Sequence, residues 1–514
     1  MFKNNLNKLV ERMKESNVDL AVITDDDSLY YFTGYHDFLH MDFNRPTILL
    51  VSKDGESTLI TPLLDVLLVP EDTPVNKIET WNDGIGDEWR EFLPKIINKH
   101  NKIFCEKYKI NATVNNYLNE LMNGKPLENI TPIVSEIRMI KSDEELKIAR
   151  HTGEVAMAMM EGAKSVIGHN VPEFEIAIAQ SQAGTRKAAQ LLQEHYPQSI
   201  NMSPNIHFLS TISSGKDLPK THHRASTKLV KKGDPIFVCY CGSANFHRFK
   251  LGFDRIFWVE EIKDKNQIKA FEVAVKSQQA ALEVLRPGVT AEEVHAAYAE
   301  TIQSEGYPYP TFRCGRGTGF SFLEEPQLVV GNKTVLQPGM VFAVDGGASA
   351  KDFRSQVGDS FIITEEGHEQ ITHHSKNVDD LRTIAHELEA WVPHGNWGKL
   401  DVKTKVFVEH ILMALARLQL GFEILDKGAE ELTDIRQKME KDDIHDVMDE
   451  ADHEDDFERK MRELASEYDE IVDGAQEITT ENIDRFTRRN LDRVNRREKF
   501  TCEKCGIEKR SSAP

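Results

Sequence analysis

Over the first 132 residues, short apolar runs alternate with helix-spaced apolar positions. Leu20 to Thr24 and Thr47 to Val51 are continuous or nearly continuous apolar runs and read as buried strands. Asn5 to Met13 and Glu88 to Ile97 carry apolar residues at helical spacing, so this region predicts an α/β unit. The pattern resets around Asn129 to Glu136. Lys141 to Val166 then predicts a long amphipathic helix, opened by Ser142 with Glu145 at capping-box spacing. Beyond it the chain becomes strand-rich and glycine-punctuated. Val230 to Asp234 and Leu336 to Met340 each read as a turn feeding a strand, Ile236 to Tyr240 and Val341 to Val344. The repeated grammar hints at an internally duplicated architecture. From about Ser375 the pattern changes again. Phe407 to Leu425 is apolar at helical spacing, Glu440 to Glu470 is acidic with few strand formers, and Arg485 to Lys499 is basic. The expected domains are therefore 1–132, 133–374 and a mostly helical, partly disordered extension over 375–514.

Composition narrows the classes. A chain of 514 residues with 40% hydrophobic positions can build a sizeable core in more than one domain. The formal charge is −21, of which the last 140 residues, with 34 acidic and 23 basic side chains, carry about half. A surface that acidic argues against binding nucleic-acid phosphates or an anionic membrane over most of its area. Residues 1–20 are studded with charge and lack the apolar stretch of a secretory leader, and no run approaches the roughly 18 apolar residues of a membrane span. Six cysteines without regular spacing do not form a disulfide framework. The expectation is a cytoplasmic protein.

Four clusters in the middle region carry candidate chemistry. Ser214 to His223 ends a Gly/Pro loop with a His pair that could supply a general base or a metal ligand, or be two surface histidines. Cys239 to Gly242 is followed by Phe249 to Arg255, where Asp254 interrupts an apolar run. Asp254 then faces solvent or joins a buried polar site, with Arg255 on the opposite face if this is a strand. Gly315 to Gly319 precedes Leu323 to Pro326; it lacks the Lys-Ser or Lys-Thr of a phosphate loop. Asp345 ends an apolar strand before Gly346 and Gly347, as a site residue or as a turn cap, and Asp359 lies further on.

In this order and spacing the clusters resemble the pita-bread family of creatinase, aminopeptidase P, prolidase and methionine aminopeptidase. Leu29 to Gly34 and Phe43 to Pro46 resemble its creatinase-type N-terminal domain. The resemblance covers residues 1 to about 372 and implies an α/β N-terminal domain, an α+β pita-bread catalytic domain and a homodimer. The family's metallopeptidases bind two metals through two Asp, one His and two Glu. By this resemblance those positions fall on Tyr240, on Leu251 or Gly252, on Arg316, on Asp345 and on Gly358, so no metal is expected in the catalytic domain. The pattern is nearer to creatinase, which works without metal. Its catalytic His corresponds to His222, its two substrate-holding acids to Asp254 and Asp345, and its Phe-x-Arg to Phe43 and Arg45. The expected chemistry is metal-independent hydrolysis of a C–N bond in a small guanidino or amidine carboxylate. Asp254 and Asp345, with Glu324, hold the cation; Arg45 and Arg316 bind the carboxylate; His222 moves the proton. An inactive binding module and an Xaa-Pro metallopeptidase or lyase are the alternatives. Finally, Cys502 and Cys505 form a Cys-x-x-Cys knuckle, half of a zinc ribbon, and are candidate zinc ligands.

Overall fold

The computed structural model describes residues 1–36, 46–82, 88–199, 202–204, 210–242, 244–350 and 353–383. Phe43, Arg45, Cys502, Cys505 and nearly all of the 375–514 extension lie outside the described residues. The chain divides into two compact units, Met1–His386 and Glu387–Pro514. The first unit holds all the described elements.

Its N-terminal α/β part contains α1 (Phe2–Glu15), β1 (Leu20–Ile23), α2 (Asp26–Thr33), β2 (Ile48–Ser52), β3 (Ser57–Pro62), β4 (Lys77–Trp81), α3 (Trp89–Ile97), β5 (Ile103–Cys105), α4 (Ala112–Met122) and β6 (Glu128–Asn129). The strands form one sheet in the order β4-β3-β2-β1-β5-β6. β1 is buried along its whole length, as its continuous apolar run requires. It pairs antiparallel with β2 and parallel with β5. The α2 helix opens on Asp25, whose carboxylate accepts from the Ser28 backbone N–H at 3.1 Å, and closes on Gly34 at φ +75°.

α5 (Thr131–Met139) leads into α6 (Asp143–Lys164), which carries the capping box on Ser142 and Glu145 expected from the sequence. Glu145 also reaches the N-terminal part, accepting from Asn5 Nδ2 at 3.2 Å. α7 (Glu173–His195) packs along α6, and the strands β7 (Thr211–Ser214), β8 (Pro235–Cys239), β9 (Asn245–Phe246), β10 (Phe249–Lys250) and β11 (Asp254–Val259) follow. The same grammar then repeats. Two helices, α8 (Lys265–Val284) and α9 (Ala291–Ser304), precede β12 (Gly315–Gly317), β13 (Glu324–Leu328), β14 (Val341–Ala350) and β15 (Phe353–Ile363). The turns that feed β8 and β14 each place a glycine, Gly233 and Gly339, in the left-handed region at φ +81° and +87°. The large sheet runs β13-β12-β14-β15-β11-β8-β7, with β16 (His368–Gln370) on β15 and β17 (Arg382–Thr383) on β11. β17 extends the folded body past the expected limit at 374, because its pairing with Trp258 and Val259 is part of the sheet.

Two expectations change in the fold. β14 continues through Gly346 and Gly347 to Ala350, so Asp345 sits mid-strand and is not a turn cap. Gly346 is needed where it is: a Cβ there would lie 1.9 Å from the Ala274 carbonyl oxygen of α8. Cys239 and Cys241, which the sequence leaves as thiols, are joined by a disulfide.

Candidate functional site

Strand register builds the site. Residues directly opposite in an antiparallel sheet share a face, and three pairings line up in one row: Cys239 with Asp254, Asp254 with Gly358, and Gly358 with Asp345. Gly358 has no side chain, so the two carboxylates approach across it. A Cβ on Gly358 would meet Asp345 Oδ1 at 2.4 Å and Asp254 Oδ2 at 2.7 Å. Asp254 is 2% exposed. Its Oδ2 accepts from Gln356 Nε2 at 2.5 Å and its Oδ1 has no hydrogen bond.

Burial raises the proton affinity of both acids. Asp345 is pushed up to about 7, first by desolvation and then by the Asp254 charge, with Arg316, Arg354 and Arg313 pulling the other way. Asp254 is also raised by burial, against the field of Arg316 and its bond to Gln356. A carboxyl whose folded value exceeds its usual value near 4 binds its proton more tightly folded than unfolded, so stability falls as pH rises from about 4 to about 7. Asp345→Asn is therefore expected to be more stable than the parent at pH 8, by about 1–3 kcal/mol, with the difference closing toward pH 4. Thermal unfolding at the two pH values measures this.

Three cationic or polar groups surround the pair. Arg316, on β12 opposite Ala343 and hence on the face of Asp345, is 6% exposed. Its Nε donates to the Phe322 carbonyl at 3.3 Å and its guanidinium lies over the Phe322 ring at 5.2 Å. Gly252 lies beside it and packs against Ala343, whose Cβ a side chain there would meet at 2.7 Å. Arg354 and Gln356 were not singled out from the sequence. They share a face of β15 with Gly358 at period two, which is the signal that could have found them. Arg354 lies over Phe237 and Phe312 at 5.2 and 5.3 Å, donates to Gln356 Oε1, and donates through Nη1 to the Thr221 carbonyl at 3.3 Å. Thr221, Arg354, Gln356 and Asp254 thus form a continuous chain of hydrogen bonds. It ties the His222 loop to the carboxylates.

Among the expected site residues, the structure unites Asp254, Asp345 and Arg316 and places His222 on the loop that Arg354 holds. His222 is exposed. Its neighbour His223 is engaged by the Ile212 carbonyl at 2.9 Å. Glu324 requires a correction. Its carboxylate is 8% exposed as a residue and is taken by Arg138 Nε and Nη2 at 3.0 and 2.7 Å, Lys141 Nζ at 2.9 Å and the Ser321 N–H at 3.1 Å. Burial opposes its ionisation, yet Lys141 and Arg138 hold it down at about 2. It is a structural ion-pair centre whose oxygens are both engaged by the surrounding chain. Arg255 points to the other face, as alternation requires, and forms a fully buried pair with Asp359 at 2.8 Å.

Tyr240 lies between Cys239 and Cys241 at the end of β8, so it faces away from the row and packs against Phe253. The β8 residue in the row is Cys239.

Two family descriptions match the chain: Creatinase/Prolidase N-terminal domain over residues 5–140 and Metallopeptidase family M24 over 147–365. The chain belongs to the creatinase/aminopeptidase P/prolidase family. It is similar to the Xaa-Pro dipeptidase of Pyrococcus furiosus, 25% identical over 375 residues that cover 72% of this chain and 98% of the relative. It is likewise similar to the agropine synthesis cyclase of Rhizobium rhizogenes, 23% identical over 396 residues covering 72% and 96%. Among solved structures, the prolidase of Pyrococcus horikoshii matches at TM-score 0.62 with 22% identity, covering 73% of this chain and 99% of that one. That neighbour supports the two-domain fold.

At the positions that the resemblance gives to the metal ligands of the family's peptidases, few side chains here are donors. Gly358 and Gly252 offer no donor, Arg316 brings a cation where a His would ligate, and Arg354 adds a second. Hard divalent ions need several anionic or imidazole donors converging. Of the five positions only Asp345 keeps a donor facing the row, and a second acid, Asp254, joins it from outside that set.

Proposed function

We propose that this family member is a metal-independent hydrolase of C–N bonds in a small cationic carboxylate, of guanidino or amidine type. The observation that carries the reading is the mutually repelling pair of buried Asp254 and half-buried Asp345, facing each other across Gly358. A planar guanidinium or amidinium between them would accept both charges through charge-assisted hydrogen bonds and relieve the repulsion. Arg316, held against Phe322, binds the substrate carboxylate in this reading. His222, on the loop tied to the pair through Arg354, takes a proton from the attacking water and returns it to the leaving nitrogen. Asp254 and Asp345 stabilise the charge that develops. A relative whose name is that of a cyclase, not a peptidase, supports the reading that the scaffold carries chemistry beyond peptide hydrolysis.

His222→Ala is expected to lower kcat by about 10² or more while leaving substrate affinity and the melting temperature near those of the parent. A screen of guanidino and cyclic amidine carboxylates, followed by steady-state kinetics on the turned-over compound, tests both. Undiminished kcat in the variant would sink the assignment of the proton-moving role.

A further inference from the structure

The disulfide of Cys239 and Cys241 has no evident structural purpose. The stabilisation a cross-link gives by restricting the unfolded chain grows with the loop it closes, and this one encloses a single residue, Tyr240. Its location is more informative. Cys239 stands next to Asp254 in the row of the site and is 2% exposed, while Cys241 is half-buried and reachable at the strand end. Ligand atoms of Cys239, Cys241 and Asp254 all lie within 4.8 Å of one another, and Asp254 Oδ1, deeply buried, has no hydrogen-bond partner.

We propose that Cys239, Cys241 and Asp254 form a redox-controlled site for one thiophilic divalent cation of the zinc or cadmium class, open when the cysteines are reduced and closed by their disulfide. A dithiol reductant opens it. The S–S bond breaks, two S–H bonds form, and the reductant becomes the disulfide. On binding, the two thiols release their protons to solvent, and two S–metal bonds and one O–metal bond form to the incoming ion.

Charge explains why the thiols are required. Arg316 and Arg354 weaken the negative potential that Asp254 and Asp345 set up. Two thiolates beside Asp254 add negative charge that a doubly charged ion neutralises. Soft sulfur ligands also select a different metal class from the hard ions that carboxylates favour. A cation on Asp254 takes the group that the proposed substrate cation needs, so the metal-loaded, reduced form is closed to substrate. The proposal shares Asp254 with the functional reading, but its test reads metal binding directly, so either can fail without the other.

The test uses full-length protein carrying Cys502→Ser and Cys505→Ser, reduced with a phosphine and titrated with cadmium alone. The expected result is one equivalent bound per chain, with ultraviolet thiolate-to-cadmium charge-transfer absorption, and none after re-oxidation of the same sample. Cys239→Ser is expected to weaken that band. Asp254→Asn is expected to keep it but to lower affinity by at least about tenfold, since losing even an outer-shell partner typically costs that much. The comparison of oxidised with reduced parent needs no folded variant. Absence of the band in the reduced protein, binding that survives oxidation, or a band unchanged in the double variant Cys239→Ser/Cys241→Ser would overturn the proposal.

Discussion

Asp254→Asn is expected to lose turnover by about 10³-fold or more and, at pH 8, to unfold at a higher temperature than the parent. The two effects have one cause. A deeply buried carboxylate whose proton affinity is raised costs folding free energy when ionised, and one oxygen of Asp254 has no hydrogen bond to offset that cost. Asn removes the charge, and its amide oxygen can still accept from Gln356. It also removes the charge that raises Asp345, so the Asp345 carboxyl should titrate at lower pH in the variant. An acid kept only for structure would show the reverse, lower stability on replacement. Kinetics on a turned-over guanidino or amidine compound, with thermal unfolding of the same samples, reads both halves. Lower stability together with retained turnover would mark Asp254 as a structural acid.

The second large effect is the opposite in kind. Glu324→Gln is expected to cost about 3–5 kcal/mol of stability. It removes the carboxylate that pairs with two buried cations, Arg138 and Lys141, whose side chains are 5% and 2% exposed, and leaves Arg138 only the more distant charges of Asp27, Asp25 and Glu106. Equilibrium denaturation measures the loss. Because both Glu324 oxygens are engaged by Arg138, Lys141 and Ser321, the Michaelis constant of the folded fraction should be unchanged at permissive temperature. A raised Michaelis constant with stability unchanged would return Glu324 to the substrate site.

Most of the fold was legible in the sequence. Local signals dominate there: Leu20–Ile23 is buried on both faces and reads as an unbroken apolar run, and Ser142 with Glu145 marks a helix start by spacing alone. For Asp254, an acid in an apolar run left two readings, solvent or a buried polar site, and its burial at 2% exposure decides for the second. Register was not legible. Whether Tyr240 or Cys239 faces the site depends on which β8 residue pairs with Asp254, and a one-residue slip exchanges the faces. Glu324 failed differently. Its partners Arg138 and Lys141 lie more than 180 residues earlier, and no local pattern announces a contact at that separation. Arg354 and Gln356 carried a legible signal, alternation with Gly358 along one strand. It gains meaning only once Gly358 is known to separate two carboxylates.

The measurement that tests the central claim most directly is a paired assay of full-length protein after chelation. One arm supplies guanidino and cyclic amidine carboxylates in chelator, the other an Xaa-Pro dipeptide with and without added manganese or cobalt. The carboxylate-pair reading predicts turnover of a cationic compound in the presence of chelator, and no dipeptide hydrolysis with either metal. Dipeptide hydrolysis that vanishes with chelator and returns with manganese or cobalt would contradict it, and would require a metal centre assembled from residues outside the family's five ligand positions.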